Sequence, residues 1–210
     1  MRELREEAAR FNRRAARYDR WLKQRWFFRP VHRLLLQALD LRPGERFLEI
    51  GCGTGNLTLA AAAVTGSAVG VDPARRMIEV ARSKEPSGGR VEFLVGAAES
   101  LPFPDVAFDA AASSISMHHW VDPVAGLREV RRVLRPGGRL VVADVAPTGL
   151  GWALGLTIGV AKRGHGGGWE REELAETVQL TGFERVRIRR PSRLGSLVAV
   201  VAAETPTHAK

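Results

Sequence analysis

Cysteine is almost absent. Cys52 is the one cysteine in 210 residues, which excludes an internal disulfide and a cysteine-rich metal site. The five histidines, His32, His118, His119, His165 and His208, show no HExxH or comparable ligand spacing. His118 and His119 are adjacent, and neighbours along a strand or helix point in different directions, so the two rings are not expected to share a metal. No metal site is expected. Long apolar runs are missing as well. The best candidate, Leu150 to Ala161, is 12 residues long and holds three glycines, against the roughly 20 residues that cross a bilayer. The first residues, Met1-Arg-Glu-Leu-Arg-Glu-Glu, lack the apolar core of a signal peptide. The expectation is a cytoplasmic protein.

What is present is ordinary for a globular domain, with 45% hydrophobic and 26% charged residues. The net charge of +9 is unevenly spread. Residues 1–42 carry 12 Lys/Arg against 5 Asp/Glu, whereas 43–160 carry 11 against 12. That basic start is either a patch for an anionic partner, RNA or a membrane surface, or a solvated Arg-rich helix.

Residues 3–39 read as helix, broken at Pro30. Phe11, Ala15, Tyr18, Leu22 and Trp26 make one apolar stripe at spacings of three and four. From Phe47 onward, short apolar runs alternate with helical stretches. Strands are expected at Phe47–Ile50, Ala68–Val71, Val91–Val95, Phe108–Ser114 and Arg139–Val145. Helices are expected at Leu57–Val64, Ala74–Lys84, Val124–Leu134 and Glu170–Thr181. Asp72-Pro73 and Asp122-Pro123 each place a capping carboxylate before a proline at the first helical position. In the third of these helices Val124, Leu127, Val130 and Leu134 should be buried, with Arg128, Arg131, Arg132 and Arg135 outside. Arg135-Pro136-Gly137-Gly138 reads as a type II turn. Phe183–Arg190 and Leu197–Ala203 are joined too closely for a helical crossover, so they should be antiparallel. The implied fold is α/β and Rossmann-like, a seven-stranded, mostly parallel sheet with an antiparallel last strand and helices on both faces. Residues 1–42 would be a helical cap on a domain at 43–204, with a lid-like insertion at 147–168 and a tail at 205–210.

Glu49-Ile-Gly51-Cys-Gly53-Thr-Gly55-Asn56 falls between a strand and a helix. Glycines there let the chain turn tightly and let a ligand approach the peptide groups. In dinucleotide sites such a turn receives a pyrophosphate. Here the third glycine comes one residue early, and Asn56 stands where the dinucleotide pattern wants glycine, which disfavours a nicotinamide oxidoreductase. The Glu49 carboxylate would repel a pyrophosphate and suits a ligand with an ammonium group. Asp72 ends the second strand, at the edge where open α/β sheets bind ligands. Its carboxylate can hold both hydroxyls of a ribose if an oxygen is free of capping.

The chain resembles the class I S-adenosylmethionine-dependent methyltransferases, in particular the small-molecule branch of ubiquinone/menaquinone type. The resemblance rests on five stretches in family order over about residues 45–145. They are Phe47-Leu-Glu-Ile-Gly-Cys-Gly-Thr-Gly55, Gly70-Val-Asp72, Gly96 to Asp105 with Phe108-Asp109, His118-His119, and Val133-Leu-Arg-Pro-Gly-Gly138. It implies S-adenosylmethionine as cofactor, with Gly51, Gly53, Thr54 and Gly55 along its methionine and ribose and Glu49 near its amino group. It also implies Asp72 on the ribose hydroxyls, Ala97-Ala98 beside the adenine and Ser114 near the methionine part. Family members often carry Asp or Asn where Ala97 stands, and alanine offers the adenine amino group no acceptor. Losing one neutral hydrogen bond costs about 0.5–1.5 kcal/mol.

His118 is the candidate general base, if the acceptor must lose a proton, while His119 and Trp120 are expected to pack against the next helix. Tyr18, His118 and Trp152 are candidate substrate contacts. Trp152, Leu154, Leu156 and Ile158 read as a greasy cover over an apolar or aromatic acceptor, or as a peripheral contact with a membrane surface. The leading function is methyl transfer to a small molecule. The alternatives are an RNA methyltransferase and a protein that binds the cofactor without turnover. Ser113-Ser114-Ile115-Ser116 lacks the Asn/Asp-Pro-Pro-Tyr/Phe motif that grips a planar amine, which argues against methylation of a nucleic-acid base.

Overall fold

Seven strands of a central sheet carry the helices and the cleft of this protein in a computed structural model. The structure describes residues 2–19, 24–85, 90–146, 168–189 and 197–207. The strands are β1 (Phe47–Ile50), β2 (Ser67–Asp72), β3 (Arg90–Val95), β4 (Phe108–Ser114), β5 (Leu134–Val145), β6 (Glu184–Arg189) and β7 (Val198–Glu204). Their order across the sheet is β3-β2-β1-β4-β5-β7-β6. β1 to β5 are mutually parallel, and β7 runs antiparallel to both β5 and β6. The expected fold class is the one found.

Both faces of the sheet are covered, which is why its strands read as continuous apolar runs. Along β1, Phe47 packs with Val31, Leu35 and Leu57, whereas Leu48 and Ile50 join Leu127, Val130 and Leu174 on the other face. The first face is covered by α3 (Arg29–Leu39) and α4 (Asn56–Thr65), the second by α6 (Pro123–Val133) and α7 (Arg171–Leu180). In α3 the buried Val31, Leu35 and Leu39 recur every four residues.

The helical start differs from a helix with one break. α1 spans Arg2–Asn12, α2 Ala15–Tyr18, and a wide turn at Gln24–Phe28 leads into α3. Pro30 sits where the wider π-helical turn Gln24–Phe28 passes directly into α3, so the helix changes type there without a break. The stripe is also shorter than its spacing suggested. Ala15 is buried, but Trp26, in the wide turn, is 74% exposed; Leu22 lies outside the described residues.

Two further expectations change. α5 runs Arg75–Arg82 with Ala74 at its N-cap position, so Asp72-Pro73 precedes the helix instead of capping it. α6 does begin at Pro123, with the Asp122 side chain accepting from the Ala125 N–H. It ends at Val133, so Val133 rather than Leu134 completes its buried face with Leu127 and Val130. Arg135-Pro136-Gly137-Gly138 lies in the bulged start of β5, and Gly137, at φ +71°, has the positive φ that the expected type II turn requires after Pro136.

Candidate functional site: a cleft at the carboxyl edge of the sheet

The chain leaves β1 through the turn Gly51–Gly55 before entering α4. Gly51, Gly53 and Gly55 all have positive φ, at +72°, +53° and +79°, a region that L side chains enter at a cost. The three are not equivalent. A Cβ on Gly51 would fall 2.2 Å from Ser116 Oγ, and one on Gly55 would fall 2.5 Å from the Phe93 ring, but one on Gly53 would meet nothing within 4 Å. Gly53 therefore leaves open room above the turn, while Gly51 and Gly55 are required by packing beneath it.

Asp72 closes β2 beside this turn and is 9% exposed. Its Oδ2 accepts from the Gly53 N–H at 2.9 Å and its Oδ1 from the Ala74 N–H at 2.8 Å. Neither oxygen is free of the backbone, but a carboxylate oxygen has two acceptor directions, leaving one on each oxygen. Burial pushes the Asp72 carboxyl up to about 6, against the pull of those two N–H groups.

Glu49, on β1, is 2% exposed and lines the same cleft. Its Oε2 accepts from the Thr58 N–H at 2.8 Å and from the Thr58 hydroxyl at 2.5 Å. Burial nevertheless raises it to about 8. Ser114, at the end of β4, lines the cleft too, and its buried Oγ has no hydrogen-bond partner among the described residues. A buried hydroxyl left unpaired costs free energy and points to a ligand. Thr54, Gly96, Ala97 and Ala98 complete this end of the wall. Gly55, buried under the turn, is not part of the lining.

The other wall is the N-terminal segment, with Leu4, Glu7, Ala8, Phe11 and Tyr18 facing the cleft. The cleft encloses about 900 Å³ of space, open solvent at its mouth included. The segment is fastened to the glycine turn through Asp19. Its Oδ1 accepts from the Thr54 hydroxyl at 2.6 Å and from Asn56 Nδ2 at 3.0 Å, and its Oδ2 pairs with Lys84 Nζ at 2.9 Å. Burial opposes the charge on Asp19, but the bonds from Thr54, Lys84 and Asn56 outweigh it and hold the carboxyl below its usual range. Nothing in composition or periodicity marked Asp19, since its three partners are 35 to 65 residues away. Tyr18 lies close to Asp72 and Glu49. Burial first, and then the Asp72 charge, raise its phenol well above the ordinary value. On α3, His32 lines the cleft beside Phe28, and burial lowers its imidazole to about 4, which keeps it neutral.

The two adjacent histidines are placed differently from the expectation that put His118 at the cleft and His119 in the packing. His118 does not line the cleft among the described residues. Its Nδ1 lies 2.5 Å from Asp144 Oδ1, its backbone N–H donates to Asp144 Oδ2, and its side chain is 6% exposed. His119 is the one that lines the cleft. Both sit in a 3₁₀ turn, Met117–His119, where successive residues are about 120° apart, so one ring faces the cleft and the other the β5 end. Trp152 and the rest of 147–167 lie outside the described residues. Among the described residues, no group of three His, Cys, Asp or Glu is placed to hold a metal ion, and no helix is long and apolar enough to cross a membrane.

Comparison with known proteins agrees with this geometry. Residues 48–142 match the family profile described as "Methyltransferase domain". The chain is 42% identical over 101 residues to a demethylmenaquinone methyltransferase of Clavibacter sepedonicus, covering 48% of this chain and 41% of that protein. It is 40% identical over 106 residues to an O-methyltransferase of Penicillium expansum, covering 49% of this chain and 38% of that protein. The match thus spans less than half the length of each of these curated relatives. A solved S-adenosylmethionine-dependent methyltransferase of Thermotoga maritima superimposes with a TM-score of 0.67 at 29% identity, over 92% of this chain and 97% of that one.

Proposed function

We propose that the protein transfers a methyl group from S-adenosylmethionine to a small, apolar or aromatic acceptor, a reading supported by the match of residues 48–142 to the methyltransferase-domain profile and by the strand order of the sheet that carries them. The observation that carries this reading is one cleft in which the open face of Gly53, the Asp72 carboxylate and the unpartnered Ser114 hydroxyl come together. That donor and acceptor set fits an elongated polar cation. Asp72 would take the ribose hydroxyls on its two remaining acceptor directions. Glu49 would sit near the amino group, Ser114 near the methionine part, and Ala97 and Ala98 beside the base. When bound, the sulfonium supplies an electrophilic methyl group.

The chain's own part is to hold, orient and dry the site. Phe11, Phe28, Ile115 and Trp120 line it with apolar surface, which favours an apolar acceptor and excludes water. The segment 2–19 closes one side, and the Asp19 latch holds it there. Asp19→Asn keeps the shape of the side chain but removes the charge that pairs with Lys84. It is expected to speed cofactor dissociation about threefold to tenfold, the effect of a partly exposed charged hydrogen bond. Stopped-flow displacement of S-adenosylhomocysteine reads this, and an unchanged rate would show that the latch does not hold the segment.

Ionisation of Glu49 and Asp72 sets the pH response. Both carboxyls titrate higher than usual because burial disfavours their charge. The ligand-free fold therefore holds protons that the unfolded chain releases, and its stability falls as pH rises from the ordinary carboxylate range to about 8. A cationic ligand favours the ionised forms. S-adenosylmethionine affinity is accordingly expected to rise about tenfold between pH 6 and pH 8, with proton release on binding. Calorimetry in two buffers of different ionisation enthalpy checks it, and a flat profile contradicts it.

Calorimetry with S-adenosylmethionine and with NADH tests the reading itself. Binding of the first alone supports it, and binding of NADH alone removes it. The RNA alternative predicts affinity for RNA that falls steeply with salt; no such binding would leave the small-molecule reading alone.

A further inference from the structure

His119 and Glu7 lie together in the cleft, with Arg10 Nη1 3.9 Å from the same Glu7 oxygen, and the cofactor reading above gives neither His119 nor Glu7 a role. His119 lines the cleft, and its Nδ1 lies 3.5 Å from Glu7 Oε2 on α1. Phe11 of the same helix stands edge-on to the imidazole, with centroids 5.0 Å apart. Behind it lies the His118 ring at 3.9 Å, itself fixed by Asp144. His119 is thus held from α1, from its own turn and, through His118, from β5, while its side chain stays 22% exposed. The other carboxylates along the cleft are Glu49, Asp72 and Glu99. Of these, Glu99 is engaged by the Val121 and Asp122 N–H groups and Glu49 by Thr58.

We propose that His119 accepts a proton from the methyl acceptor, that Glu7 is its positioning residue, and that the acceptor carries an acidic hydroxyl, a phenol or an enol. This rests on the methyl-transfer reading above. In the step, the acceptor's O–H bond breaks and its electron pair forms the new bond from oxygen to the methyl carbon. The carbon–sulfur bond breaks with its pair going to sulfur. The proton goes to the unprotonated ring nitrogen of His119, and the Glu7 carboxylate balances the imidazolium. The products are a methyl ether and a neutral thioether. In free solution a phenol titrates near 10 and an imidazole near 6.5. An aliphatic alcohol holds its proton too tightly for this pair. An ammonium acceptor would bring a second positive charge into a cleft that already receives a sulfonium.

p-Nitrophenol tests the proton transfer without turnover, since its yellow phenolate band reports where the proton is. The probe is titrated into protein saturated with S-adenosylhomocysteine, at a pH one unit below the free phenol's midpoint. The wild type is expected to show a saturable phenolate band, which His119→Gln loses. Glu7→Gln should weaken the band about fivefold, and Glu7→Asp should restore part of it. All three variants should bind S-adenosylhomocysteine within about twofold of the wild type, which also shows that they fold. An equal band in His119→Gln, or no saturable band in wild type that binds S-adenosylhomocysteine, overturns the proposal and leaves the methyl-transfer reading standing. Failure of the wild type to bind S-adenosylhomocysteine removes that reading and the proposal with it.

Discussion

Asp72→Ala is expected to lower S-adenosylmethionine affinity by about 10²- to 10⁴-fold, the loss of two hydrogen bonds to a charged group at about 1.5–3 kcal/mol each. The carboxylate has a double role. It receives the Gly53 and Ala74 N–H groups, which set the shape of the glycine turn and the approach to α5, and it offers the acceptors for a ribose. Alanine removes both. Asparagine keeps one acceptor oxygen but aims an amide N–H at a backbone N–H, so Asp72→Asn should fall between alanine and the wild type. Calorimetry measures the affinities, and thermal melting of the ligand-free proteins separates binding from folding. A loss of less than about threefold for Asp72→Ala would mean that the ribose is not held here.

The second large effect separates two glycines of one turn. Gly55→Ala combines a positive φ with a Cβ 2.5 Å from the ring of Phe93 and 3.1 Å from Ala81. Phe93 is 2% exposed and cannot move without opening the packing between α5 and β3. Adding about 1–2 kcal/mol for backbone conformation to about 1–3 for overpacking gives roughly 2–5 kcal/mol. For a chain of this size that lowers the melting temperature by about 4–20 °C. Gly53→Ala carries a similar backbone cost but meets no neighbour. It should melt within a few degrees of wild type, by about 2–8 °C, while its methyl group enters the cleft and weakens cofactor binding. Equal effects of the two substitutions on stability would show that the turn is not packed as described.

These contrasts also mark what the sequence could convey. The alternation of apolar runs with helices set out the sheet, and the glycine spacing with Asp72 seventeen residues beyond Gly55 located the cleft, because those signals are local and periodic. Side chains acting at long range were not legible. Asp19 meets Thr54, Asn56 and Lys84 only after α1 and α2 fold over the cleft, and no pattern around Asp19 announces that. The placement of His119 rather than His118 at the cleft has the same origin. Two adjacent histidines are equivalent in sequence, and the partner that decides between them, Asp144, lies on β5, 26 residues away. The helix boundary at Pro73 was misplaced for a different reason, since a proline signals a boundary but not on which side of it the helix lies.

The most direct measurement is a crystal structure of the protein grown with S-adenosylhomocysteine. The ligand is expected between the Gly51–Gly55 turn and the N-terminal segment, its ribose hydroxyls on Asp72 and its amino acid end beside Ser114 and Glu49. Tyr18 and its neighbours packed directly onto that turn, with the ligand elsewhere or not bound, would contradict it.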